Sequence, residues 1–159
     1  MIDTIAIINN GIVSATLVIY LKELEAYDVA INLLENKLIQ IPEEKETLSL
    51  LSILYSDTSS SNNMFDPVLA EHYFKQIIEL YPNYDKVYYN FAKFKQDVFE
   101  YEEAIDLYRI SVDLNPDIKE NYYNMGFCYM QLGKHVDAIN YFTHAINLDS
   151  SFQFLHCQN

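Results

Sequence analysis

Few residues in this chain of 159 combine the type and the spacing that bond-breaking chemistry requires. The four histidines, His72, His135, His144 and His156, are scattered, and the nine-residue step from His135 to His144 is a poor helical spacing for shared metal ligation. The two cysteines, Cys128 and Cys157, show neither a metal-binding nor a disulfide-framework spacing. No glycine-rich phosphate loop, HExxH pair or plausible Ser/His/Asp grouping is present. The expectation is a non-enzyme with no metal and no cofactor. What does recur is amide and aromatic chemistry: Tyr89-Asn90 returns 34 residues later as Tyr123-Asn124. A carboxamide can both donate to and accept from a peptide backbone, whatever the side chains of that peptide. Aromatic rings beside it supply contact area at low entropic cost. This is the chemistry of binding.

The elements that must position these pairs repeat with the same period. Residues 85–118 and 119–152 are each 34 residues long and align without a gap, matching Tyr88 with Tyr122, Phe91 with Met125, Ala92 with Gly126, Ala104 with Ala138, Tyr108 with Phe142 and Leu114 with Leu148. A period of that length with apolar and small residues in this order indicates an array of helix pairs. Two antiparallel helices approach closely only where small residues let them, so Gly126 or Ala92 should face Ala138 or Ala104. Proline after the second helix cannot continue it. The same phase finds 11–44, with Leu17, Leu21, Ala30, Leu34 and Pro42, and 45–84, with Leu48, Leu51, Tyr55, Ala70, Phe74 and Pro82. The second of these is longer because SDTSSSNNMFDP lies between its helices. Helices are expected at Gly11–Glu25, 27–40, 45–56, 67–80, 85–98, 101–114, 119–132 and 135–148. Asp66-Pro67 supplies a capping side chain followed by a residue needing no N–H partner. Gly133 suits the left-handed cap at the end of a first helix. The Ser/Asn insert, 56–63, reads as a solvated turn.

These copies resemble the tetratricopeptide repeat, whose pattern is W-x2-L-G-x2-Y, then A-x3-F, then P. The last copy carries it as Tyr122, Met125, Gly126, Tyr129, Ala138 and Phe142, with Ser150 in place of proline. The copy before carries Tyr88, Phe91, Ala92, Ala104, Tyr108 and Pro116, but Lys95 replaces the expected aromatic, a departure expected to loosen that helix pair. The resemblance implies an all-α, right-handed α-solenoid of antiparallel helix pairs: an N-terminal cap at 1–10, four repeats (11–44, 45–84, 85–118, 119–152) and a tail at 153–159. It also implies a concave groove lined by first helices. That geometry places Lys86, Tyr89, Asn90, Lys93 and Asp97 on the groove, then Glu120, Tyr123, Asn124, Phe127 and Gln131. The recurring asparagine is similar to the asparagine ladder of the O-linked N-acetylglucosamine transferase superhelix. The carboxylate clamp of chaperone-binding relatives is disfavoured: its places hold Ser49, Ile53, Asn90, Glu120 and Asn124, and Glu120 would repel a carboxylate.

Composition sets the outer limits. Half of the residues are apolar, enough for a continuous core, and three glycines with four prolines leave little room for the turns of an all-β fold. A net charge of −13 repels phosphate backbones, so nucleic acid is excluded as a partner and a neutral-to-basic protein segment is favoured. Cysteine usage indicates a reducing, intracellular compartment, read as cytoplasmic. Residues Thr4–Leu21 carry no charge, but no Lys or Arg precedes them and Asn9-Asn10-Gly11 interrupts them, which argues against a membrane span or signal sequence. A short cap over Asp3–Asn9 is expected instead. The last helix is expected to end near Asp149, with Phe152, Phe154 and Leu155 covering only part of its apolar flank. A ragged end, a longer natural chain and self-association through the C-terminal repeat are the alternatives. The function expected is a protein-interaction module that takes a peptide or helical segment in its groove. The rival is a structural subunit of a larger assembly that uses its convex face and open ends.

Overall fold

The computed structural model describes residues 14–59 and 61–156, with side chains up to residue 148. The proposed cap at 1–10, Gly11 and Cys157 lie outside the described residues. Eight helices form among those described, with no strand: α1 Ala15–Glu23, α2 Tyr27–Gln40, α3 Lys45–Ser56, α4 Pro67–Leu80, α5 Asp85–Asp97, α6 Tyr101–Leu114, α7 Lys119–Gln131 and α8 His135–His156. Seven begin or end within a few residues of the expected bounds. The chain divides into two compact units, 1–82 and 83–159.

In the first unit, α1 starts at Ser14, whose Oγ accepts from the Leu17 amide at 3.3 Å. In α2, Tyr27, Ala30, Ile31 and Leu34 recur at helical spacing and are buried. Leu48, Leu51 and Tyr55 of α3 and Ala70, Phe74 and Ile77 of α4 complete this core. Asp66 caps α4 by accepting from the amides of Val68 and Leu69, both at 3.0 Å, ahead of Pro67. The insert differs from expectation. Asn62 is buried and donates from Nδ2 to the carbonyls of Leu54 and Asp57, both at 2.8 Å, while its Oδ1 accepts from the Met64 amide. Tyr27 donates to Asp57, which also pairs with Lys22 at 2.5 Å. A polar stretch of short side chains is here held by its own amide chemistry.

The second unit is built from α5–α8. Three helix-to-helix turns, one in the first unit and two in the second, share a hydrogen-bond pattern. Glu25, Phe99 and Gly133 each have positive φ (58°, 67° and 72°). The amides of Ala26, Glu100 and Lys134 bond back to the carbonyls of Leu21, Lys95 and Tyr129. This is the glycine-type helix cap, occupied by glycine at only one of its three places. Lys95 does not loosen its helix pair. Its side chain is only 6% exposed, and its ammonium reaches Glu100 at 2.7 Å and Glu103 at 3.1 Å, fastening the end of α5 to the start of α6.

Gly126 does permit a close approach, but the side chain it admits is Phe142: a Cβ there would lie 2.8 Å from two ring carbons. Gly126→Ala should therefore lower stability by about 1 kcal/mol, overpacking outweighing the gain in helix propensity. A urea denaturation curve checks this. Helix α8 continues through Asp149-Ser150-Ser151 to His156, beyond the expected stop and into the expected tail. With serine where proline would stand, no residue there removes an N–H or clashes with the preceding turn.

Candidate functional site

The binding chemistry collects on α7. Asn121, Met125, Cys128 and Tyr129 recur at i, i+4, i+7 and i+8 and are buried. That leaves Glu120, Tyr123, Asn124, Phe127 and Gln131 along the opposite side of the helix. An open cleft of about 540 Å³ forms there, walled by Tyr89 of α5, by Lys119, Glu120, Tyr123 and Asn124 of α7, and by Phe142, Ala145 and Ile146 of α8. Its volume is in the range of ligand sites, and its walls are mostly carbon.

The carboxamide in the wall is Asn124, near Tyr108. Tyr108 is fully buried, its ring centroid 6.0 Å from that of Tyr89, and its hydroxyl donates to Gln96 Oε1 at 3.1 Å. Burial pushes the Tyr108 hydroxyl far up from its ordinary value, and the nearby Asn124 side chain opposes that shift only in part. The Asn124 carboxamide can both donate to and accept from a ligand backbone. Tyr123, 58% exposed, leans on Phe142 with centroids 5.3 Å apart. Lys119 and Glu120 set one charge of each sign at the rim.

Of the groove residues expected from sequence, the cleft joins Tyr89, Glu120, Tyr123 and Asn124. It does not join the others. Asn90 is half-buried and outside the lining, and Lys86 is exposed. Lys93 is paired with Asp97 along α5 at 3.2 Å. Phe127 turns its ring edge toward Tyr101 at 6.4 Å, and Gln131 is exposed at the end of α7. Sequence reasoning missed Lys119, Phe142, Ala145 and Ile146 as lining, because the groove was assigned to first helices alone. The available signal was the apolar set Ile139, Phe142 and Ile146, which runs beside the Ala138–Ala145 packing face.

Of the other reactive groups, Cys128 is packed away, whereas His72 and His144 are exposed. Cys128 is buried and its thiol is pushed up to about 12 by that burial. The rings of His72 and His144 lie against Tyr73 and Tyr122. Among the described residues no group of three His, Cys, Asp or Glu could hold a metal ion, and no helix is long and apolar enough to cross a membrane.

Residues 120–152 match the tetratricopeptide repeat family. Among solved structures, MamA is similar at 21% identity and a TM-score of 0.72, over 87% of this chain and 77% of its own. MamA of MSR-1 matches at 23% identity and 0.70, over 85% and 74%. MamA of AMB-1 matches at 24% identity and 0.70, over 85% and 76%. These likenesses show the fold, a helical solenoid of tetratricopeptide type. Together with the repeat match, that fold supports a protein-interaction or scaffold role. No curated protein sequence matches the chain.

Proposed function

We propose that this chain is a non-enzymatic protein-interaction module that holds a neutral-to-basic peptide or helical segment of a partner in the cleft over α7. The observation that carries this reading is the juxtaposition of an apolar cleft with a carboxamide in its wall. The apolar walls provide burial, and Asn124 provides one backbone-directed hydrogen bond without demanding a particular side chain. On this reading the chain comprises four repeats over 11–44, 45–84, 85–118 and 119–152, with Asn90 as the counterpart of Asn124. Affinity for such a segment is of order micromolar, about −8 kcal/mol.

The test is the double variant Asn90→Ala with Asn124→Ala, assayed by fluorescence anisotropy with a labelled peptide of alternating Leu and Ser ending in Lys. The expected outcome is about a tenfold weaker Kd, one to two lost hydrogen bonds, with helicity retained and the melting temperature only a few degrees lower. Equal affinity of variant and parent would remove the cleft from consideration.

A second reading, a structural subunit that binds through its bare flank, draws on α8. There Val136, Ile139 and Ile146 stand 74%, 63% and 64% exposed. Light scattering after gel filtration separates the two: a monomer across a wide concentration range favours the cleft, and a concentration-dependent larger species favours the flank.

A further inference from the structure

The turn between α5 and α6 carries a residue that neither the fold nor the cleft accounts for. Phe99 holds φ at 67°, a left-handed conformation that suits glycine and costs a bulky side chain. The same turn carries Glu25 after α1 and Gly133 after α7, so the fold itself asks for no ring there. Nor does Phe99 gain much by burial, since it is 75% exposed. A large ring held at a conformational cost and left in solvent points to a contact outside the chain.

Phe99 is also the end of a row. Its ring meets Tyr101 edge-on at 6.3 Å, Tyr101 meets Phe127 at 6.4 Å, and Phe127 follows Tyr123 by one helical turn on the same side of α7. Tyr123 in turn meets Phe142 at 5.3 Å inside the cleft. Five aromatic side chains thus run from the cleft along α7 to the turn at Phe99. The two ends of the row differ in charge. At the cleft, Lys119 and Glu120 balance. At the turn, Glu100, Glu102 and Glu103 follow Phe99 closely in sequence, and Glu100 and Glu103 both reach the ammonium of Lys95. That end carries an excess of carboxylate.

We infer that the row from Phe142 to Phe99 is one continuous binding track for a segment of polarised composition, with bulky apolar side chains in the cleft and Lys or Arg at the Phe99 end. The inference rests on the cleft being a peptide site and extends its footprint across α7 to the α5–α6 turn. Apolar side chains of the segment pack on successive ring faces, and its cations sit over the Phe99 and Tyr101 rings, flanked by the glutamates. Phe99 is thereby an anchor of the partner, and its backbone conformation is tolerated for that contact. A segment ending in carboxylates is repelled at the same place.

The experiment is an NMR titration of the isotopically labelled full chain with two 12-residue synthetic peptides. Both start with the same Leu/Phe/Ser half; one ends in three Lys and Arg residues, the other in Glu. With the basic peptide, amide shifts should change at Phe99, Tyr101 and Phe127 as well as at Tyr123 and Phe142, and the Glu peptide should bind at least tenfold more weakly. Phe99→Gly should weaken the basic peptide about tenfold while raising the melting temperature by about 3 °C, because it relieves the left-handed strain. A merely structural residue would not lose binding as it gains stability. Shifts confined to the cleft, with Phe99→Gly binding as the parent does, would overturn the track and leave the cleft as a peptide site. Equal binding of the two peptides would overturn the basic assignment. No shift with either peptide would overturn both the track and the cleft reading.

Discussion

Tyr108→Ala should lower the unfolding free energy by about 3–5 kcal/mol, the range for deleting a fully buried aromatic ring. Tyr108 is 0% exposed and supports three things together. Its ring is buried in the core of α5 and α6, where Ala92 and Ala104 are also fully buried. It backs Tyr89 in the cleft wall, and its hydroxyl donates to Gln96. The cavity left behind cannot be filled from the backbone, because α5 and α6 are already held as near as their small residues allow. Tyr108→Phe separates the contributions: it keeps the ring and should cost about 1 kcal/mol, the net value of a hydrogen bond. Chemical denaturation of the three proteins measures both steps. A loss below about 1 kcal/mol in Tyr108→Ala would mean that the ring is not a keystone of the second unit.

The double variant Glu100→Gln with Glu103→Gln should destabilise by about 2 kcal/mol, whereas Lys95→Met should be close to neutral. The asymmetry follows from where the charges lie. Lys95 is the buried member, 6% exposed, and the two glutamates are about half exposed. Exchanging both carboxylates for amides takes away charges that compensate an ammonium already removed from water. Exchanging the lysine for methionine removes the buried charge itself together with its contact over the Phe91 ring, keeps much of the apolar stem, and leaves two carboxylates that water can reach. Thermal melts at low and high salt distinguish the mechanism: a buried compensation is screened little, so the loss in the Gln variant should persist at high salt. If Lys95→Met instead costs more than the double variant, the lysine's hydrogen bonds rather than its charge hold α5 to α6.

Much of this architecture was legible in the sequence because its causes are local. The start of α4 follows from Asp66-Pro67, one side chain and one ring acting on the next turn. Buried stripes such as Leu48, Leu51 and Tyr55 follow from a period of 3.6 residues. Equivalent helices in successive copies follow from the 34-residue repeat, which groups Tyr89, Glu120, Tyr123 and Asn124, and all four line the same cleft. Less legible was any feature set by a partner distant in sequence or by one residue's exception to its repeat. Lys95 looked like a defect because an aromatic belongs there; its carboxylates come from the following turn and helix. The Ser/Asn insert looked loose because its composition is polar, yet one asparagine with two carbonyls in reach makes a folded loop. Helix α8 outran its expected end because a missing proline is a weaker signal than a present one.

By itself, then, the sequence determined which segments are helices, which of their faces are apolar and which residues recur at equivalent places, since these depend on dihedral preference, capping and periodicity within a few turns. Tertiary structure alone decided which of those faces stays uncovered. The cleft exists because α5, α7 and α8 each bury one stripe and leave another bare at a common place. The backing of Tyr89 by buried Tyr108 exists because α5 and α6 bring the two rings together. Such coincidences depend on the packing of whole side chains across helices, and no spacing along the chain encodes them.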